Sequence, residues 1–166
     1  MLSVPDPAGP VYATLDALGI TYDTFTHPPV FTAEEAAEHW APIEGTRVKN
    51  LFLRNKKGDR HYLVILEIEK HADLKRLVQI LGDDRLSFGS ADRLMAVMGL
   101  TPGSVSPFGL IHDDKKIVRV VLDDELRGAS RLIFHPNINT SSLTITVADL
   151  ERFLASRGNS VKWIRL

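Results

Sequence analysis

The sequence contains no cysteine, which excludes thiolate catalysis, disulfide bonds and cysteine-ligated zinc. No apolar run approaches the ~20 residues that would span a bilayer. The N-terminal segment "MLSVPDPAGP" has neither the basic nor the apolar region of a signal peptide. The formal net charge is only −1, which argues against a protein that coats nucleic acid non-specifically. We therefore expect a cytoplasmic protein with no membrane partner.

Several catalytic motifs are absent as well. No serine stands in a G-x-S-x-G elbow, no G-x-x-x-x-G-K-[ST] loop occurs, and none of the six histidines pairs with another at metal-ligand spacing. These absences argue against a serine-elbow hydrolase, a P-loop ATPase and a metal enzyme, and we expect no metal and no cofactor. The acidic runs fall at predicted turns or strand ends and are expected to be solvated: Asp83-Asp84, Asp113-Asp114 and Asp123-Asp124-Glu125.

The composition is that of one globular domain, which we expect to occupy residues 1–166, with 44% of the residues hydrophobic. Cap residues and periodicity predict helices over 8–18, 32–39, 73–81, 91–98 and 146–157, opened by Thr32, Asp73, Ser90 and Thr146 and ended by Gly19, Gly82, Gly99 and Gly158. Alternation predicts strands over 21–27, 47–54, 60–68, 108–112, 117–123, 131–135, 143–147 and 161–166, with a short extended piece at 85–90. The hairpins imply antiparallel or mixed pairing, so the fold class is mixed α/β (α+β) without regular βαβ alternation.

The stretch "GLTPGSVSPFGLI", 99–111, is unusually rich in glycine and proline for a turn before a predicted strand. Pro102 and Pro107 would fix the backbone of a simple connector, and this is the more common use of such residues. Gly103 can also let a ligand approach the backbone, and successive N–H groups in such a turn can hold an oxyanion. From its residues the loop is thus either a rigid connector or one wall of an active site.

Two further positions combine unusual residues with a predicted strand. Lys49 lies within the apolar stretch "VKNLF", where alternation puts it on one face with Leu51 and Leu53. It either extends to solvent at a sheet edge or points into a pocket, where its charge could hold a phosphate or a carbonyl oxygen. His135 ends a predicted strand just before the polar cluster "NINTSS", which suits a turn and also suits recognition of a small polar ligand.

Five stretches occur in the order seen in one family: "HPPVFTAEEA" (27–36), "KNLFLRNKKG" (49–58), "RLSFGS" (85–90), "GLTPGSVSPFGLI" (99–111) and "FHPNINTSSLTI" (134–145). In these stretches the chain resembles the YbaK-like aminoacyl-tRNA editing proteins, and within them the freestanding prolyl-tRNA deacylases of the ProX type. The likeness extends over roughly residues 20 to 155. It implies a mixed, partly barrel-like sheet with flanking helices and a metal-free hydrolase of the ester between a wrong amino acid and the tRNA terminus.

The resemblance also implies roles for individual residues. Lys49 would hold the phosphate of the terminal nucleotide, the loop from Gly103 to Pro107 would supply backbone contacts near the scissile carbonyl, and His135 would line the amino-acid pocket. The 2′-hydroxyl of the substrate would assist the attacking water. The catalytic set is then Lys49, Gly103, Ser104 and His135, and the substrate-binding set is Phe31, Asn50, Phe52, Val105, Ser106, Pro107 and Asn137.

The resemblance favours alanyl-tRNA(Pro) as substrate, because a pocket that fits alanine can reject the larger proline by size. Editing of another small amino acid (cysteine or serine), a non-catalytic aminoacyl-tRNA binding module, and a hydrolase of another small ester or amide stay as alternatives. The expected partner is the acceptor end of tRNA(Pro), with prolyl-tRNA synthetase as a further candidate, and the expected state is a monomer. Candidate contacts to the acceptor stem are Arg54, Lys56, Lys57, Lys75, Arg76 and Arg85.

Overall fold

Eight β-strands form one mixed sheet in the computed structural model, which describes residues 6–29, 32, 34, 35, 38 and 42–166. The order across the sheet is β1-β7-β6-β2-β3-β5-β8, with the short β4 paired to β2. Pairs β2–β6, β3–β5 and β5–β8 are parallel and the other pairs are antiparallel, which confirms the predicted mixed α/β class. The strands are β1 (Asp23–Thr26), β2 (Thr46–Arg54), β3 (His61–Glu67), β4 (Ser87–Phe88), β5 (Val118–Asp123), β6 (Leu132–Phe134), β7 (Ser141–Ile145) and β8 (Val161–Ile164).

Four of the predicted helices are present in the described ranges, and all but the first begin and end at the predicted cap residues. They are α1 (Gly9–Ala17), α2 (Leu74–Leu81), α3 (Ala91–Met98) and α4 (Val147–Arg157). The side chains of Asp73, Ser90 and Thr146 each accept a hydrogen bond from the backbone N–H three residues later, and a left-handed glycine follows each of these three helices. Thr32 Oγ1 likewise accepts from Glu35 N at 3.1 Å. Much of the predicted helix 32–39, His39 included, lies outside the described residues.

The strand predicted over 108–112 is wrong, because this segment is a 3-10 helix, Pro107–His112. Ser106 caps it by accepting from Phe108 N, and Pro107 stands at its first position, where no N–H is needed. The apolar run that suggested a strand is buried instead on one side of this short helix, where Phe108 and Leu110 enter the core. A second 3-10 helix, Asp124–Gly128, was not predicted and begins where Asp123 accepts from Glu125 N.

The sheet is covered by separate apolar clusters on its two faces. Val48 and Phe52 of β2 belong to the larger core, together with α1, α3, α4 and the 3-10 helix at 107–112. Leu51 and Leu53 pack on the other face, against α2. The alternation expected for β2 is therefore confirmed. No helix within the described ranges is long and apolar enough to cross a membrane.

The acidic runs are not simply solvated as expected. Asp113 is 4% exposed and accepts hydrogen bonds from Ile117 N, Val118 N and Asn159 Nδ2. Asp123 is fully buried and holds Lys70 Nζ at 2.8 Å. These carboxylates are retained in the interior because backbone N–H groups or a cation compensate their loss of water.

Candidate active site

Lys49 and His135 follow the parallel pairing of β2 and β6 at equivalent positions. Thr46 is paired with Leu132 and Arg47 with Ile133, and the pairing ends there. Lys49 and His135 each lie two residues further along their chains in the same direction. Residues two apart on a strand share a face. Lys49 and His135 therefore project from the face that carries Ile133, opposite to the core that contains Phe134. The register thus gives Lys49 and His135 equivalent positions on one face, each two residues beyond the last paired residues of its strand.

His135 is held by β7 and stays neutral. Its Nδ1 lies 3.0 Å from the carbonyl oxygen of Ser141, and since a carbonyl only accepts, this nitrogen carries the proton. Burial is the largest cause that lowers the pKa of His135; the nearby His27 lowers it further and the bond to Ser141 opposes the shift. An uncharged imidazole is suited to orient a substrate and avoids repelling the positive α-amino group of an aminoacyl ester.

His27 is a member of this site that the analysis of individual residues missed. Its ring meets that of His135 edge-on with 6.0 Å between centroids. Its Nδ1 donates to Pro28 O at 2.9 Å, so its Nε2 accepts from the hydroxyl of the buried Ser142 at 2.8 Å. The signal for His27 in the sequence was its position at the head of the "HPPVFTAEEA" stretch.

The glycine-rich loop is fastened to the segment that follows His135. Ser106 Oγ donates to Asn137 Oδ1 at 3.0 Å and accepts from Phe108 N at 3.0 Å, and both side chains are buried. Asn137 has a positive φ of 64°, a conformation that asparagine tolerates better than most residues. Its Nδ2 is buried without a hydrogen-bond partner among the described residues. Asn137 therefore positions the loop next to His135, a contact that the sequence did not indicate.

Within the loop, the backbone N–H groups differ in whether they already donate a hydrogen bond. Gly103 has a φ of 91°, which a residue with a side chain rarely adopts. The N–H of Ser104 closes a turn on Thr101 O at 3.1 Å, and Ser104 is 5% exposed. In the described part of the chain, the N–H groups of Gly103, Val105 and Ser106 donate no hydrogen bond. Ser106 is 0% exposed, whereas Gly103 and Val105 are partly exposed, so an oxyanion at this loop could be bound by the N–H groups of Gly103 and Val105 rather than by that of Ser104.

The three candidates on β2 have different surroundings. Lys49 is half-buried and makes no salt bridge to any carboxylate that the structure describes. Asn50 Oδ1 is buried without a partner among those residues. Phe52 is 4% exposed, lies in the core and stacks on His61 with 5.8 Å between ring centroids, so it offers packing and almost no open surface. Phe31, the remaining pocket candidate, lies outside the described residues.

The candidate tRNA contacts separate into two groups. Arg54 and Lys56 lie at the end of β2 remote from Lys49. Lys75 and Arg85 line a surface groove of about 620 Å³ together with Leu74, Val78, Gln79 and Leu86, while the guanidinium of the neighbouring Arg76 donates to Arg165 O at 3.1 Å. No three histidine, aspartate or glutamate side chains cluster as metal ligands would in the described ranges.

One family model matches most of the chain. The model of the aminoacyl-tRNA editing domain matches residues 27–153, and the chain therefore belongs to the aminoacyl-tRNA editing family, whose members are deacylases. This confirms the resemblance seen in the sequence.

Among individual proteins, the chain is 42% identical to the prolyl-tRNA editing protein ProX of Acetoanaerobium sticklandii, over 94% of this chain and 95% of that protein. It is 36% identical to prolyl-tRNA synthetase associated domain-containing protein 1 of Danio rerio, over 84% of this chain and 77% of that protein. The fold is shared with a solved candidate trans-editing enzyme for prolyl-tRNA synthetase, with a TM-score of 0.72, 21% identity and 99% of each chain covered.

Proposed function

We propose that this protein is a trans-editing hydrolase that removes a wrong amino acid from mischarged tRNA(Pro), with alanyl-tRNA(Pro) as its main substrate. The observation that carries the proposal is the 42% identity to a prolyl-tRNA editing protein over nearly the full length of both chains. Residues 1–166 would act as one deacylase domain in the cytoplasm, as a monomer. Prolyl-tRNA synthetase, from which the substrate would come, is a candidate partner.

In this proposal the chain's own groups bind and polarise an ester that is already reactive. Lys49 holds the phosphate of the terminal nucleotide, and free N–H groups of the loop from Gly103 to Pro107 stabilise the negative charge that develops on the carbonyl oxygen. Water attacks the carbonyl carbon, the bond to the ribose 3′-oxygen breaks, and the neighbouring 2′-hydroxyl relays the proton to that leaving oxygen. Amino acid and deacylated tRNA are the products. Positioning of this kind needs no protein nucleophile.

Neutral His135 supports the proposed pocket for a small amino acid. A partly buried, uncharged imidazole held by Ser141 O would give the pocket a fixed wall beside the α-amino group of the substrate. Alanine fits a pocket that excludes proline by size, whereas cysteine and serine are so close to alanine in size that the same pocket could also accept them. The choice among these amino acids is therefore the part of the proposal that kinetics must decide.

The test is deacylation of alanyl-, cysteinyl-, seryl- and prolyl-tRNA(Pro) by the wild type and by Lys49→Ala. The control is Lys115→Ala, which removes an exposed lysine in the turn before β5. A contact between an ammonium and a phosphate is worth about 1.5–3 kcal/mol, so Lys49→Ala should lower kcat/KM about 10- to 150-fold. Lys115→Ala should behave like the wild type. On an alanyl ester of adenosine that lacks the 5′-phosphate, the wild type and Lys49→Ala should be equally active.

Each result has a distinct meaning. Fast hydrolysis of the alanyl ester with prolyl-tRNA spared supports the proposal. Faster hydrolysis of cysteinyl- or seryl-tRNA(Pro) would support the hydrolase activity and show that the main substrate is not alanyl-tRNA(Pro). Saturable tRNA binding without any turnover would overturn the proposal in favour of a binding module, and equal activity on esters with and without tRNA would favour a small-ester hydrolase.

A further inference from the structure

A pair of arginines meets at the end of β2 that is remote from Lys49. Arg54 closes β2 and Arg93 lies on α3. A Cβ built on Gly58, in the turn between β2 and β3, would lie 3.2 Å from Arg54 Nη2 and 2.9 Å from Arg93 Nη2. The two guanidinium groups therefore come within 3.2 Å of one point. We refer to Arg54 and Arg93 as the twin-arginine site.

Neutral groups hold both arginines in place. Arg54 Nη2 donates to Lys56 O at 3.0 Å, and Arg93 Nη1 donates to Gly58 O at 2.9 Å. Arg93 Nη1 also lies 2.9 Å from His61 Nε2. Burial lowers the pKa of His61, and the charge of Arg93 lowers it further, so His61 accepts this bond as a neutral imidazole. These contacts orient the two groups without neutralising their charge.

The carboxylates around the turn are engaged elsewhere. Asp59 Oδ1 accepts from Asn55 Nδ2 at 2.6 Å, Asp83 pairs with Arg60 at 3.3 Å, and Asp84 accepts from Lys56 N at 2.8 Å. Among the described residues, neither member of the twin-arginine site forms a salt bridge. Two like charges held together repel each other, and an anion between them removes that repulsion. The planar fork of a guanidinium matches a phosphate in particular.

We propose that the twin-arginine site binds one phosphate of the tRNA backbone; this inference rests on the proposed function. Arg54 lies five residues from Lys49 on β2, which is about 17 Å along the strand, and the odd spacing makes the two side chains project from opposite faces of the sheet. An RNA strand whose terminal phosphate lies at Lys49 would therefore pass round the end of β2 to reach the twin-arginine site. The contact positions the acceptor end and reads no base, so it strengthens binding of every tRNA.

The experiment measures the Kd of deacylated tRNA(Pro) at several salt concentrations for the wild type and four variants. Arg54→Gln and Arg93→Gln remove one charge each, Arg93→Lys keeps the charge but loses the fork, and Lys115→Ala removes an exposed charge from the turn before β5 as a control. We expect each Gln variant to raise the Kd about five- to tenfold and to reduce the slope of log Kd against log salt by about 0.7–0.9, the value for one phosphate. Arg93→Lys should lose affinity to a smaller extent.

Two readouts separate this inference from damage to the fold and from failure of the proposed function. The hydrolysis of an alanyl ester of adenosine should be the same in the Gln variants and in the wild type, whereas the thermal midpoint of Arg93→Gln should fall because Gly58 O and the buried His61 Nε2 lose their donor. If tRNA is deacylated but the Gln variants bind it no more weakly than Lys115→Ala, the inference is wrong and the proposed function stands. If no ester is cleaved but the Gln variants lose tRNA affinity, the twin-arginine site stands without the hydrolase. If the wild type binds no tRNA, both are overturned.

Discussion

Replacement of Ser106 by alanine tests whether the glycine-rich loop depends on its buried link to Asn137. The change removes an oxygen that donates to Asn137 Oδ1 and accepts from Phe108 N, each at 3.0 Å. Both former partners would be left buried, since Asn137 is 4% exposed and Phe108 is 0% exposed. An unsatisfied buried polar group costs about 1–3 kcal/mol, so allowing for some relaxation we expect a loss of about 2–4 kcal/mol in the free energy of unfolding. That is a large share of the ~5–15 kcal/mol typical of a domain.

The assay is urea unfolding of the wild type, Ser106→Ala, Asn137→Ala and the double variant. A coupling energy above about 0.5 kcal/mol in this cycle would show that the two side chains act on each other. Ser104→Ala is the matched control for stability, because Ser104 is a buried serine of the same loop whose hydroxyl bonds to no described residue. A loss for Ser106→Ala no greater than for Ser104→Ala, with no coupling to Asn137, would refute the reasoning.

Three other perturbations follow from single contacts. In Gly89→Ala the new Cβ would lie 2.4 Å from the ring of Phe52, so overpacking should cost about 1–3 kcal/mol in urea unfolding; an unchanged midpoint would contradict this packing. Asp113→Ala leaves two backbone N–H groups without an acceptor and removes one of the two acceptors of Asn159 Nδ2, which keeps Val118 O, so it should cost about 2 kcal/mol or more by the same measurement, whereas a solvated carboxylate would cost under about 0.5 kcal/mol. Burial lowers the pKa of His61 and His135 below the ordinary histidine pKa of 6.5. Below pH 6.5 the unfolded chain therefore binds more protons than the folded chain. The contribution of these two histidines to the free energy of unfolding is thus complete above pH 6.5 and decreases as the pH falls below it. Unfolding free energies measured between about pH 7.5 and 5.5 should show this decrease, and His135→Asn should make it shallower; a stability that rises on acidification would show the sign to be wrong.

Much of the secondary structure could be predicted because its causes are local. A serine, threonine or aspartate cap reaches the N–H three residues away, and a glycine ends a helix through its own φ, so Asp73, Ser90 and Thr146 could be identified from their neighbours. The misassigned segment 108–112 also had a local signal, a serine followed by proline, which favours the start of a helix. The apolar run outweighed that signal, since a short buried helix and a buried strand have the same composition.

Candidate site residues could be named from the sequence, but their geometry could not. Lys49, the loop and His135 entered through a family resemblance, and the residues themselves left a structural role open for each. The structure adds that Ser104 uses its N–H in a turn, that Phe52 belongs to the core, and that His27 lies against His135. None of these follows from spacing, because each depends on which strands become neighbours.

By itself the sequence determined where the helices begin and end, which side chains of β2 face each core, and which chemistry the chain lacks. The tertiary structure decided what those elements place together: Ser106 with Asn137 across 31 residues, His27 with Ser142 across 115, and Arg54 with Arg93 at one turn. The physical reason is the range of the interactions. Caps and alternation depend on bonds within a few residues, whereas strand order and register follow from burial of the whole apolar surface at once, which no single stretch of the sequence records.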